Sequence, residues 1–229
     1  NSLASTKKKT HLPRPQTSLT GTSLFTGARK EPSMLNELRM EIRSANRIDM
    51  LVSFIKWSGL RLVYDDLNFF AKHGGKLRLI ATSYMGATDA KAIEEIAKLP
   101  NAKVRMSYDT KRTRLHAKAY IFYRSTGYDT AYIGSSNMSN AALSTGLEWN
   151  VKITRYDSPN TMTKIAATFE SYWNTKEFEP YTEEKRDYLH AAIEHERHPD
   201  MVCESSSPFF FDIHPFVYQR QMLDDMVRE

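Results

Sequence analysis

Two rhythms of apolar residues alternate along the chain, one with helical spacing and one in short runs of strand length. Met34, Leu35, Leu38, Ile42 and Ala45 recur with helical spacing, and Pro32 suits the first helical position ahead of them. Ile48–Ile55 follows as a short apolar run. Leu60, Val63, Leu67, Phe70 and Ala71 then mark one amphipathic helix, ended by Gly74 and Gly75 as a left-handed cap. Lys76–Thr82 reads as a strand and Thr88–Leu99 as a helix capped by Thr88. Pro100 and Asn101 break that helix, and Lys103–Ser107 is the next strand. The succession, a helix and then β-α-β-α-β, calls for parallel strands covered by helices.

The rhythm changes after residue 115. Two strands, His116–Tyr123 and Thr130–Ile133, are joined by a hairpin-like connection, so the sheet should be mixed. A short helix from Ser139, a strand Glu148–Thr154 and a helix Pro159–Trp173 complete the pattern. The expected fold class is α/β: an α/β/α sandwich around a central mixed sheet, over residues 31–175. Residues 1–30, with Lys7, Lys8 and Lys9 among scattered Pro, Ser and Thr, read as a flexible arm. Residues 176–208 read as a helical linker, with a polar helix over Thr182–His195; from Lys176 to Glu204 nine acidic residues face four basic ones. Residues 209–229 turn apolar again and read as the opening of a further, truncated domain.

Composition narrows the class. Apolar content of 41% with 11% aromatics is that of a globular chain. No apolar run reaches membrane-spanning length and no signal-peptide pattern opens the sequence, so no membrane partner is expected. The lone cysteine, Cys203, excludes an internal disulfide and any site needing several cysteine ligands, and fits a reducing cytoplasm. Charge placement says more than the net +5. Between Lys103 and Arg124 seven basic residues face Asp109 alone, a net +6 within 22 residues. Such a patch calls for a polyanionic partner, with DNA the expected one. Lys111, Arg112 and Arg114, leading up to His116, are the candidate phosphate contacts.

The chemistry lies inside that patch. His116 and Lys118 are two apart, so a strand turns both to one face. Gly134-Ser-Ser-Asn137 is a turn rich in donors, and Glu148 follows it. Phosphodiester cleavage needs a nucleophile, donors on the nonbridging oxygens and an acid for the leaving group. A neutral His116 can attack phosphorus, Lys118, Ser135 and Asn137 can hold phosphate oxygens, and Glu148 can accept the second ring N–H of His116. In-line displacement wants an acid opposite the nucleophile, and a two-fold homodimer would supply a second His116.

At these residues the chain resembles the phospholipase D superfamily, whose signature is His-x-Lys-x4-Asp followed by Gly-Gly-x-x-Asn or Gly-Ser-x-Asn. His116, Lys118, Gly134, Ser135 and Asn137 match, whereas Tyr123 occupies the Asp position. Nuclease branches without that Asp keep a Glu after the Asn, and Glu148 fits that slot. Residues 51–60, 82–88, 133–139 and 146–150 also resemble the nuclease module of bacterial helicase-nuclease fusions, with the SauUSI-like type IV restriction enzymes the nearest group. Residues 215–223 are similar to the opening of a superfamily 2 helicase core, in which Gln219 would contact adenine. The resemblance implies a metal-independent endonuclease module with a phosphohistidine intermediate and a homodimeric site. It needs no cofactor of its own; ATP and Mg would serve only an absent helicase part, and a further absent domain would read modified DNA. Two other classes fit the same residues, a phospholipase or phosphatidyl transferase and a catalytically silent DNA-binding and dimerisation module.

Three further features read as structural. His190, His195 and His198 with Glu194 and Glu196 suit a solvated helix face better than a metal site. Trp57, Tyr84 and Tyr108 read first as packing residues. Gly74 and Gly75 end a helix rather than open one, so they cap it and do not cradle phosphate.

Overall fold

A computed structural model describes residues 14–28, 30–108 and 115–198. The β-α-β-α-β rhythm becomes strands β2 (Arg47–Leu51), β3 (Lys76–Thr82) and β4 (Ala102–Ser107), parallel and adjacent, with α2 (Trp57–Leu60), α3 (Tyr64–Lys72) and α4 (Ala90–Ala97) in their crossovers. Helix α1 (Met34–Ser44) precedes them. After residue 115 the pairing turns antiparallel through β5 (Ala119–Tyr123), β6 (Thr130–Gly134) and β7 (Asn150–Thr154), then helix α5 (Pro159–Asn174). The expected mixed sheet is thus present.

Its order adds two strands that periodicity did not suggest. Ser23–Phe25 forms β1, antiparallel to β7, and Phe178–Pro180 forms β8, antiparallel to β4. The eight-stranded sheet runs β1-β7-β6-β5-β2-β3-β4-β8. Part of the expected arm therefore belongs to the domain, as does the start of the expected linker. Three-residue edge strands carry too few positions to show alternation; they are held by pairing with a neighbour. Helix α6 (Arg186–Arg197) buries Leu189 and Ile193 in the main core, so it packs on the domain rather than only connecting it onward. The expected contacts Lys111, Arg112 and Arg114, the lysines at 7–9 and the helicase-like segment with Gln219 lie outside the described residues.

Strand alternation sorts the core into two layers. Ile48, Met50, Leu77, Leu79, Tyr120 and Phe122 face the cluster built with α1, α3, α4 and α6, while Leu51, Ile80, Ala119 and Ile121 face the cluster of Met162 and Phe169 from α5. Local corrections have local causes. Helix α1 starts two residues after Pro32, with Ser33 in the extended cap position. The single helix expected through Leu60–Ala71 is two, α2 and α3. Gly59 lies where an added Cβ would sit 2.5 Å from the Ser139 backbone, so α2 is pressed against the turn after Asn137. Gly74, at φ +87°, ends α3: its N–H donates to Ala71 O and that of Gly75 to Phe70 O, the paired bonds of a left-handed cap. Thr88 does not cap α4. Asp89 holds the cap position, and buried Thr88 donates to Thr82 O at 2.6 Å.

The inner face of α1 carries more than apolar residues. Glu37 and Glu41 are fully buried alongside Leu38 and Ile42. Lys152 Nζ, also fully buried, lies 3.2 Å from Glu41 and 3.8 Å from Glu37, and Arg124 pairs with Glu41. Thr130 and Tyr132 donate to Glu41 at 2.8 and 2.9 Å. The incoming segment closes the network, with Thr17 Oγ1 donating to Glu37 at 2.6 Å and the Gln16 N–H at 2.7 Å. Burial, followed by the charge of Glu41, pushes the Tyr132 hydroxyl well above its ordinary range, so it stays a donor. Two carboxylates meeting two cations and several donors satisfy the condition under which buried charge is tolerated.

Candidate active site

His116 and Lys118 lie on the extended run entering β5, not on the strand itself, which begins at Ala119. Because Ala119 pairs with both Leu51 and Ile133, this run arrives at the C-terminal end of β2 and the end of β6. The Gly134 N–H donates to Lys118 O at 3.2 Å, tying the motif halves together through main chain. The rim where parallel strands end is where open α/β sheets place their ligands.

There the side chains divide by exposure. His116 stands exposed, while Lys118 is 4% and Asn137 7% accessible. Lys118 Nζ donates to His116 O at 2.6 Å and lies 3.0 Å from its Nδ1. An ammonium at that distance can donate to the nitrogen, a contact that suits a lone pair on Nδ1. Burial lowers the Lys118 pKa from the usual lysine value, and the nearby charge of Glu148 offsets part of that shift. Asn137 Oδ1 accepts the Phe54 N–H at 3.2 Å, which leaves its amide NH2 to donate.

Glu148 is placed differently from expectation. Its carboxylate accepts the Ser135 hydroxyl rather than a His116 ring N–H. Register contributes: Gly134 pairs with Asn150, which sets Ser135 opposite Trp149 and within reach of the adjacent Glu148. The Ser135 N–H donates to Trp149 O at 3.0 Å, and the Trp149 N–H to Ser135 Oγ at 3.1 Å. Glu148 therefore acts on the site through Ser135 and through its field on Lys118. His116, Lys118, Ser135, Asn137 and Glu148 all come to one rim; His116 bonds to Lys118 and Ser135 to Glu148, while Asn137 is held by the Phe54 N–H.

A support layer beneath them carried no motif. The Asn150 amide donates from Nδ2 to Ser136 Oγ at 2.7 Å and accepts the Ser136 N–H at Oδ1, 3.4 Å away. Tyr120 donates to Ser136 O at 3.0 Å, its hydroxyl kept protonated by complete burial. Asn150 closing the Glu-Trp-Asn run was the one visible hint. The departure at Tyr123 does not touch the chemistry. It ends β5 at the far rim, paired with Arg47, whose guanidinium lies 3.8 Å over its ring. Burial, with Asp49 beside it, pushes its hydroxyl up to about 12. Asp129, out of register with the signature, serves the hairpin there by accepting the Arg124 N–H and pairing with Arg155.

Two cavities border the site. One of 340 Å³ is apolar, running from Lys118 and Gly134 along Leu51, Ile133 and Ile165 to Phe169. The other, of 210 Å³, is bounded by Glu148, Glu31 and Asn150. No group of three or more His, Cys, Asp or Glu side chains is placed to hold a metal ion among the described residues. His190 and His198 pair instead with Glu94 and Glu194. No helix among the described residues is long and apolar enough to cross a membrane.

Comparison with known proteins gives the family of the fold. The family described as cardiolipin synthase, phospholipase D-like domain, matches residues 38–173, more than half of the chain. The chain belongs to the phospholipase D-like family. Among solved structures this phospholipase D-like chain is similar to NucT from Helicobacter pylori, at 21% identity and a TM-score of 0.56, over 70% of this chain and 99% of that one. It is equally close in identity to Nuc from Salmonella typhimurium, a phospholipase D family member, with a TM-score of 0.53 over the same shares. Phosphatidylserine synthase from Haemophilus influenzae shares the fold at 10% identity and a TM-score of 0.52, over 76% of this chain and 43% of that one. No curated protein sequence matches the chain. These likenesses establish a mixed α/β phospholipase D-like fold.

Proposed function

We propose that the chain is a DNA phosphodiesterase, an endonuclease acting through a histidine–phosphate intermediate. The observation that carries this reading is an exposed imidazole, His116, backed by a buried ammonium, Lys118, on the rim that also holds Ser135, Asn137 and Glu148. An incoming phosphate draws the Lys118 ammonium onto its oxygens, which frees the Nδ1 lone pair and lets the ring rearrange for attack. A neutral ring nitrogen then bonds to phosphorus while the P–O bond to the leaving strand breaks. That alkoxide takes a proton from a second His116, supplied by the other subunit of a two-fold dimer. Water next gives a proton to that second His116 as it attacks the phosphohistidine, the N–P bond breaks and both imidazoles return to their starting states. No metal enters these steps.

The choice of DNA as substrate rests on the basic run from Lys103 to Arg124, in a fold shared with NucT and Nuc. A cytoplasmic restriction or defence enzyme, in which an ATP-dependent helicase and a modification-reading domain accompany this module, remains the proposed setting. One assay tests mechanism and assembly together. Plasmid cleavage with EDTA present should persist, and mixing in His116→Ala chains should depress it below the wild-type share. Metal-dependent cleavage would refute the histidine route, and full activity per wild-type subunit would refute the shared site.

One observation favours a second reading. The apolar cavity beside Lys118 suits an acyl chain, and its neighbour phosphatidylserine synthase works on lipid by name. Release of a headgroup from phospholipid vesicles, without cleavage of DNA, would favour a phospholipase or phosphatidyl transferase.

A further inference from the structure

On either side of Glu148 the chain sets two large apolar residues in solvent. Leu147 is 87% and Trp149 65% exposed, although the domain offers a core to bury them. Single exposed leucines are ordinary on protein surfaces; a mostly exposed indole is not, because tryptophan is on average highly buried. Its placement is not loose. The Trp149 N–H and C=O are both bonded to Ser135, at 3.1 and 3.0 Å, so the residue is fixed to the group that binds Glu148. Among the described residues the ring takes part in no aromatic or cation–π pair, unlike Trp57 and Trp173.

We propose that Trp149 is a positioning residue whose indole stacks on an unpaired nucleobase next to the phosphate held by His116, Lys118 and Asn137. This deepens the nuclease reading and rests on it. A flat, partly desolvated ring beside a phosphate site matches how single-stranded nucleic acid is gripped, with cations on the backbone and aromatic faces on the bases. Stacking needs a base whose face is open. Inside a duplex each base is covered above and below by its neighbours, so the partner is a base in a single strand, a frayed end or an unwound segment. Leu147 adds an apolar contact without selecting among bases. The geometry assigns Trp149 to holding the strand in register and leaves bond making and breaking to His116 and its partners.

The experiment is a base-by-residue cycle on the full chain. Binding of single-stranded oligonucleotides is measured for wild type, Trp149→Ala and Trp149→Phe, with one base at a time removed around the cleavage position while the phosphates stay. At one position wild type should lose about 5- to 150-fold in affinity when the base is removed. Trp149→Ala should show that loss already with the base present and no further loss without it, and Trp149→Phe should restore most of the difference. If every abasic strand weakens Trp149→Ala as much as wild type, the inference is wrong. It is equally wrong if Trp149→Ala turns a dimer into a monomer in sedimentation, because the ring then covers a second copy. A wild-type chain that neither binds nor cuts any oligonucleotide overturns the nuclease reading and this inference with it. Cleavage by wild type without base coupling removes the inference alone.

Discussion

Lys118 is a cation of the site that burial disfavours. It is almost fully buried, bonded to the His116 carbonyl and close to its ring, and its pKa is lowered by burial with Glu148 opposing. The folded pKa therefore lies below the unfolded 10.5, so carrying the charge costs stability below the folded value. That cost is relieved as pH rises toward 10.5. Phosphate affinity runs the other way: it needs the ammonium and is lost as pH rises through the lowered pKa. The alkaline limb of substrate binding should fall below 10.5, and Glu148→Gln should move it lower still by removing the opposing charge. A limb that ignores Glu148→Gln would contradict the coupling. The five candidate side chains were legible because phosphodiester chemistry calls for those types at a recognisable spacing. The partner of Glu148 was not: register, which sequence spacing does not state, sets Ser135 opposite Trp149 and so within reach of the neighbouring Glu148. Phe54 and Tyr120 were equally silent, one contributing a backbone N–H from far along the chain, the other looking like ordinary core.

At the scale of elements, the parallel strands read clearly because buried strands are continuous apolar runs bounded by turn residues. Lys76–Thr82 matched its expected bounds. Helix α1 was legible as a helix but not in what it buries. Helical spacing puts Glu37 and Glu41 on the same face as Leu38 and Ile42, and carboxylates are ordinarily assigned to water. Their partners Arg124 and Lys152 lie far along the chain, one inside the span of the site motif and one just after it, and no local pattern announces them. Breaking one partner of a buried ion network leaves charge uncompensated, a loss of about 3–5 kcal/mol. Lys152→Met should therefore lower urea-unfolding stability by that order. A loss under about 1 kcal/mol, the worth of an exposed pair, would show that the network is hydrated after all.

Over the whole molecule, topology assembles the site. Strands β2, β5, β6 and β7 are adjacent in the sheet, so their ends bring residues from the 50s, the 110s, the 130s and the 140s to one rim. Tyr123, at the opposite end of β5, shows the same geometry in reverse: a change in the family signature placed there is kept away from the reacting atoms. The mixed sheet was legible from the change of rhythm after residue 115, whereas the edge strands and the packing of α6 depend on neighbours that three or four residues cannot signal. The direct measurement is capture of the intermediate. Quenching a reaction on 32P-labelled DNA with detergent at alkaline pH, which spares the acid-labile P–N bond, followed by peptide mapping, should place a phosphoramidate on His116 and none in His116→Gln. Label found on another residue, or strand cleavage by wild type with no trapped adduct under conditions that preserve phosphohistidine, would contradict nucleophilic attack by this imidazole.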